Sequence, residues 1–499
     1  YTPLDFKTMS SDPEKNLGMP EKTSVNLYDS MDPSSSSSGA DAEIETTKLN
    51  FIDRWAHKLN AETKGIELVT DEEKTDTSFW NLATMWLSAN LVIATFSLGA
   101  LGITVFGLAF GQAVLVIIFF SILGGFPVAF FSCFGSALGL RQMLLSKFLI
   151  GDLTTRLFAA INVVACVGWG AVNTMSSAQL LHIVNNGTLP PWAGCLIIVV
   201  CTVLVTFFGY HVIHAYEKWA WIPNLIIFII IIVRFAMTNK FTSKSFEGGE
   251  TTAGNVLSFG GTVFGFATGW TTYLSDYVVY HPRNTNSWKI FFSIFFGLLT
   301  PLMFTLILGA ACATGIAGDP EWTRLYKEDS VGGLVYAILV HDSLHGFGQF
   351  CCVVLALSTV ANNVPNMYSM ALSAQTVWAG FRKIPRVAWT IAGNGATLAI
   401  CIPAYYKFEA VMENFMNLIS YYLSIYESIM FASHFIWNSG RFDGYDYERW
   451  NDKEAYPVGY AGVFGFACGV AGVVLGMNQT WYSGVIGRRI GDRKSTRLN

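Results

Sequence analysis

Residues 358–369 read STVANNVPNMYS and sit inside a long apolar stretch with no Asp, Glu, Lys or Arg between Ser343 and Phe381. Ser358, Asn362 and Asn366 recur every four residues, so they form one stripe along a helix, continued by Ser369 and Ser373. Pro365 has no N–H and releases the carbonyl of Ala361. An amide left unpaired in hydrocarbon costs roughly 2–7 kcal/mol. Asn362, Asn363 and Asn366 must therefore face something other than lipid, and three beside a proline favour a cavity over the structural asparagines of a helix bundle. A second segment, NVVACVGWGAVNTMSS, puts Asn162, Trp169 and Asn173 on one helical face. An interhelical hydrogen bond from Asn173 and a packed Trp169 would explain that face equally well. Amides, hydroxyls and indoles supply no nucleophile, metal set or acid–base pair, and no H-E-x-x-H, G-x-S-x-G or P-loop occurs. The chain is not read as an enzyme, and no cofactor is expected. A flat apolar face beside a carboxamide that both donates and accepts suits a planar, neutral heterocycle. Stacking of a base on an aromatic contributes about 1–3 kcal/mol in nucleic-acid complexes.

The elements that position these groups are membrane helices. The 499 residues are 52% hydrophobic and 13% charged, but the charge is uneven. Residues 1–78 hold 16 acids and 8 bases, include SSSSSG, and have few large apolar residues; they read as a disordered, acidic cytoplasmic tail. Residues 79–140 and 157–216 contain no Asp, Glu, Lys or Arg. A crossing helix needs about 20 apolar residues, so each block holds two spans, with turns at FGQ and at NNGTLPPW. Further spans fall near 219–237, 255–280, 288–317, 345–376, 386–406, 411–437 and 457–477, giving eleven. The architecture is an all-α polytopic membrane protein. No secretory signal precedes the tail, so the first span itself directs insertion. With the tail inside, short inside loops carry twelve Lys and Arg against six outside, which favours a cytoplasmic N-terminus. The nine cysteines lie in apolar segments without C-x-x-C and read as small hydrophobes. Residues 438–490 supply the last helices. Residues 491–499 read as a non-native or truncated tail.

Glycine-rich ATFSLGALG in the first span and FGGTVFGFATGW in the sixth begin five spans apart. Such a pair of interrupted helices is the layout of an inverted repeat with a midplane substrate site, expected here as 79–237 and 238–437. Close helix packing is the competing reading of these glycines. Glu427 in the tenth span and Asp276 at the end of the sixth are ionisable groups that could mark an ion pathway. A structural pairing accounts for them equally well. His182 and His434 read as interfacial.

Together GLRQMLLSKFLIGD, GWGAVNTMSSAQLLHIVNN, GYHVIHAYEKWAWIPN, TGWTTYLSDYVVYHPRNTNS and VANNVPNMYS resemble the fungal purine–cytosine permeases of the nucleobase:cation symporter family 1, over residues 79–487. The resemblance implies a plasma-membrane proton symporter of twelve helices, the first ten a five-plus-five inverted repeat. It would import cytosine, adenine, guanine and hypoxanthine. Carried over, the site falls on Trp169, Asn173, Trp270, Asn362, Asn363, Pro365 and Asn366, with Ser97 as the first-helix polar residue and Asn90 or Thr95 as alternatives. The two tryptophans would sandwich the base while Asn173 and Asn366 read its edge. The eighth helix lacks the serine/threonine-to-asparagine spacing of sodium-coupled relatives, so Ser358 and Thr359 are not expected to bind sodium. The family's twelfth helix is missing from this sequence. Lys15, Lys22 and Lys48 offer acceptors for ubiquitin; the other partners are the bases and the bilayer, with no nucleic acid. Two further readings remain open: a nucleobase sensor that does not transport, and a carrier of another neutral heterocycle such as allantoin or uracil.

Overall fold

The computed structural model describes residues 65–490 apart from Gly209, Glu247 and Thr480. The first crossing is made of two helices, α1 (Phe79–Asn90) and α2 (Ile93–Thr104), bent by 54° at Leu91 and Val92. Then follow α3 (Phe110–Leu138), a short α4 (Gln142–Ile150), α5 (Asp152–Val184), α6 (Pro191–Phe208) and α7 (Tyr210–Thr238). The sixth crossing is also broken: α8 (Glu250–Thr268) passes through a 3₁₀ turn, Gly269–Thr272, into the single turn α9 (Ser275–Val278). After it come α10 (Ser287–Ala313), α11 (Pro320–Leu339), α12 (His345–Leu357), α13 (Thr359–Val377), α14 (Arg386–Ala404), α15 (Phe408–Ala432) and α16 (Tyr460–Gly476).

Among the described residues, seven helical runs are long and apolar enough to cross a membrane, and eight if α1 and α2 count as one. One of these runs, Arg386–Trp437, contains both α14 and α15. The broken α8, polar at Glu250, Thr251, Thr252 and Asn255, and the shorter α16 complete the eleven expected segments.

Several boundaries differ from those expected. FGQ is the first turn of α3 rather than a loop, because the Gln112 side chain accepts the Ala109 N–H (3.2 Å) and caps it. At the other turn Pro191 opens α6, where a missing N–H has no cost. The fifth crossing starts at Tyr210 rather than residue 219. Between the seventh and eighth crossings, where no span is expected, lies α11. It is a charged helix, capped by Asp319, which accepts the Glu321 and Trp322 N–H groups and pairs with Lys240 (2.6 Å).

The interruption of the first crossing also lies elsewhere than in ATFSLGALG. A Cβ at Gly99 would overlap the carbonyl of Leu306, and one at Gly309 the carbonyl of Phe96. These glycines let α2 and α10 touch backbone to backbone, which is the packing reading. Gly265 in α8 likewise faces the Met416 carbonyl of α15, and the break follows it at Gly269.

Residues 1–64 of the acidic tail, the C-terminal 491–499, and Lys15, Lys22 and Lys48 lie outside the described residues. Residues 65–78, assigned to the disordered tail by composition, are instead a strap tied to the helix ends. The Val69 N–H donates to Gly139 O (3.0 Å), Lys74 Nζ to Ser136 O (2.9 Å), and the Asp76 N–H to Tyr280 O (3.1 Å). Asp71 pairs with Arg283 (2.7 Å), which holds its carboxyl below the usual range, while burial pushes the Lys74 ammonium down to about 8. The free carbonyls at the C-terminus of α3 attract the cation.

Candidate substrate site

Two breaks and one polar stripe meet at the centre of the bundle. At the first break α1 ends on the carbonyl of Ala89 and α2 begins on the N–H of Ile93, and both find partners on the eighth crossing. Asn362 Nδ2 donates to Ala89 O (2.6 Å), and the Ile93 N–H donates to Ser358 Oγ (3.1 Å). Ser358 and Asn362, one helical turn apart, therefore satisfy both loose ends of the broken crossing. The remaining amides face α5. Asn173 Nδ2 donates to Asn362 Oδ1 (2.7 Å) and Asn363 Oδ1 (2.9 Å), and Asn366 Nδ2 donates to Cys166 O (2.7 Å). Asn173 Oδ1 and Asn366 Oδ1 are buried and accept nothing among the described residues. Pro365 continues the helix, and its own carbonyl accepts the Tyr277 hydroxyl (2.8 Å).

The aromatic residues flank this amide cluster. The Trp169 ring meets Phe266 and Phe415 edge-on (5.2 and 5.6 Å between centroids) and lies against the backbone at Gly269. Trp270, the next residue, is edge-on to Trp86 (5.0 Å) and Tyr273 (5.5 Å). Both tryptophans thus lie at the sixth break: Trp270 belongs to its 3₁₀ turn, and Trp169 packs on Gly269. In this conformation each packs against other rings, not parallel across a gap.

The other expected residues are placed as follows. Ser97 donates to Ile93 O in its own helix (2.9 Å). The Thr95 hydroxyl is buried without a partner, and Asn90, whose Nδ2 donates to Trp86 O (2.8 Å), leaves its Oδ1 unpaired. Asn162 ties four elements together, donating to Ser373 (2.9 Å) and accepting from Thr272 (2.7 Å) and Tyr422 (3.1 Å). Glu427 accepts the hydroxyls of Thr268 and Thr271 at the sixth break. The Asp276 carboxylate accepts the Gln142 N–H (2.8 Å) at the start of α4, and Arg141 donates to its carbonyl (2.5 Å). Ser358 donates to Leu355 O (2.5 Å), and Thr359 shares a hydrogen bond with Ser177 (2.6 Å).

Trp86 and Phe415 were not foreseen. An aromatic residue within an apolar block has no spacing that sets it apart. Among the described residues no cluster of three His, Cys, Asp or Glu could hold a metal. The arrangement offers uncharged donors and acceptors beside aromatic rings, a lining that suits a neutral heterocycle.

Residues 68–486 match the family model described as permease for cytosine/purines, uracil, thiamine, allantoin. The chain is 58% identical to the purine-cytosine permease FCY2 of Saccharomyces cerevisiae, over 90% of this chain and 84% of that one. It is 46% identical to the purine-cytosine permease fcyB of Emericella nidulans (96% and 92%), and 28% identical to the vitamin B6 transporter TPN1 of Saccharomyces cerevisiae (89% and 85%). The fold matches that of Mhp1 in its inward-facing conformation, with a TM-score of 0.60, 15% identity, and coverage of 87% of this chain and 99% of that one. Mhp1 closed around bromovinylhydantoin, described as a nucleobase-cation-symport-1 family transporter, gives 0.59 at 15% identity, over 77% and 82%. The helices accordingly form the five-plus-five inverted-repeat fold of a multi-pass membrane transporter, and the chain belongs to the family of permeases for cytosine/purines, uracil, thiamine and allantoin.

Proposed function

We propose that this permease imports adenine, guanine, hypoxanthine and cytosine across the plasma membrane by proton symport, with its N-terminus in the cytoplasm. Residues 79–237 and 238–437 are its two repeats. The observation that carries the substrate class is the pair of buried, unpartnered amide oxygens on Asn173 and Asn366. A buried acceptor left unpaired costs about 1–3 kcal/mol, and the N–H edge of a purine or cytosine would satisfy both. Trp169 and Trp270 supply the apolar faces, and Asn362 and Asn363 orient Asn173. The relatives named purine-cytosine permeases support the choice of base, and the excess of Lys and Arg on one set of loops supports the orientation.

The test is uptake of radiolabelled cytosine into cells lacking their own nucleobase carriers, at external pH 5 and 8, with adenine, uracil, allantoin and pyridoxine as competitors. Uptake should be higher at pH 5 and blocked by adenine alone. Block by pyridoxine, the cargo class of the vitamin B6 relative, would move the assignment to another neutral heterocycle. Asn366→Ala should abolish uptake at unchanged surface abundance; normal kinetics in that variant would remove Asn366 from the site. Counterflow of labelled base across vesicles excludes a sensor that binds without transporting.

A further inference from the structure

Four carboxyl side chains are buried among the described helices: Glu217, Asp276, Glu413 and Glu427. Asp276 and Glu427 are engaged as set out above, and Glu413 also has a partner. Glu217 differs: it is fully buried, and neither carboxyl oxygen has a hydrogen-bond partner. It lies about two turns into α7, which packs on α1, α6 and α13 and, nearer its other end, on α10, α11 and α12.

The described titratable groups around it make contacts with other residues. On its own helix, His214 lies against the Tyr277 ring (6.3 Å), Lys218 over Trp219 (5.6 Å), and Tyr216 is adjacent. On α6 the nearby titratable group is Cys201, which faces Tyr216. Arg386 of α14 reaches the Thr206 carbonyl of α6 (3.4 Å) and stacks on Tyr368 of α13 (4.8 Å). Arg141, also over Tyr368 (5.7 Å), donates to the Asp276 carbonyl and to Tyr280. From α1 no ionisable side chain is available, since residues 79–140 contain no Asp, Glu, Lys or Arg. At the far end of α7, Arg234 donates to Ser343 (2.8 Å) just before α12. On α11, Arg324 is paired with Glu321 and Glu328, and Asp329 faces His182 (3.9 Å). The charged Lys289 of α10 lies over Phe79 (5.9 Å).

A carboxylate cannot stay charged in such surroundings without a partner. The closed arrangement therefore houses the neutral acid, and ionisation requires α7 and α1 to part enough to admit water. Their contact leads to the substrate site. The Ser88 hydroxyl of α1 donates to the main-chain carbonyl of Glu217, and the next residue, Ala89, takes the Asn362 amide that Asn173 also holds. We propose that Glu217 carries the coupled proton: it is protonated when the site closes around the base, and it releases the proton when α7 separates from α1.

This inference rests on the proton-symport reading, and the test keeps the two apart. The purified full chain is placed in proteoliposomes, and labelled cytosine is followed as counterflow and as accumulation driven by an inside-alkaline pH gradient. The wild type should show both. Glu217→Gln, which keeps the shape of the neutral acid, should retain counterflow and lose the stimulation by the gradient, at least tenfold. Glu217→Asp, which keeps a carboxyl at a shorter reach, should remain driven with a displaced pH midpoint. A wild type that ignores the gradient overturns proton symport itself and this inference with it. A driven wild type with an equally driven Glu217→Gln overturns only the role of Glu217, as does uncoupling by Glu427→Gln alone. If the Gln variant does not reach the membrane, an unchanged midpoint in the Asp variant overturns the proposal.

Discussion

Asn362 places one amide on two tasks, donating to Ala89 O at the break of the first crossing and accepting from Asn173 within the site. Asn363, its neighbour, accepts from Asn173 and makes only a long contact to Thr174 (3.4 Å). The two should therefore differ when truncated. Asn362→Ala leaves a buried carbonyl unsatisfied, worth about 1–3 kcal/mol, and should lower the melting temperature of the detergent-purified protein as well as uptake. Asn363→Ala should impair uptake with a smaller thermal loss; equal losses would contradict the capping role. At this scale much of the amide cluster was legible, because polar residues spaced by four in an apolar helix have few destinations. That Asn362 serves a helix end was hidden, since its partner lies 273 residues away in sequence.

At the scale of elements, glycine content pointed to the right helices and to the wrong place within one of them. Glycine permits both a break and a close crossing, and composition does not separate the two. What fixes the break at Leu91 and Val92 is the supply of caps from Ser358 and Asn362. What fixes Gly99 and Gly309 is the contact of α2 with α10. Gly309→Ala should consequently deplete folded protein at the cell surface severalfold. Gly472→Ala in α16, where a Cβ meets nothing within 4 Å, should not. Parallel behaviour of the two in surface labelling would refute the backbone contact. The charged α11 escaped the sequence reading for a related reason. Its ion pairs, Arg324 with Glu321 and Glu328, occur at helical spacing in a segment too polar for a span.

Over the whole molecule, the strap of residues 65–78 joins the ends of the second and sixth crossings. Composition could not reveal this, because its charged residues are held one by one: Lys74 at the end of α3 and Asp71 on Arg283. The folded protein binds the Lys74 proton less tightly than the unfolded chain, its value falling from 10.5 to about 8. The penalty for burying that charge is thus complete below pH 8 and fades as pH rises toward 10.5. Melting temperatures of the wild type and Lys74→Met, compared near pH 7.5 and 9.5, should shift in favour of the wild type at the higher pH; a constant difference would mean that the ammonium is not confined. The splinting of the first crossing by Ser358 and Asn362 has a consequence for how such a carrier can change its diet. Asn363, which bonds only to side chains, is open to exchange for a new cargo, whereas Asn362 is bound to the fold. A lineage drifting toward another heterocycle would lose its transporter at that position before it gained a new taste.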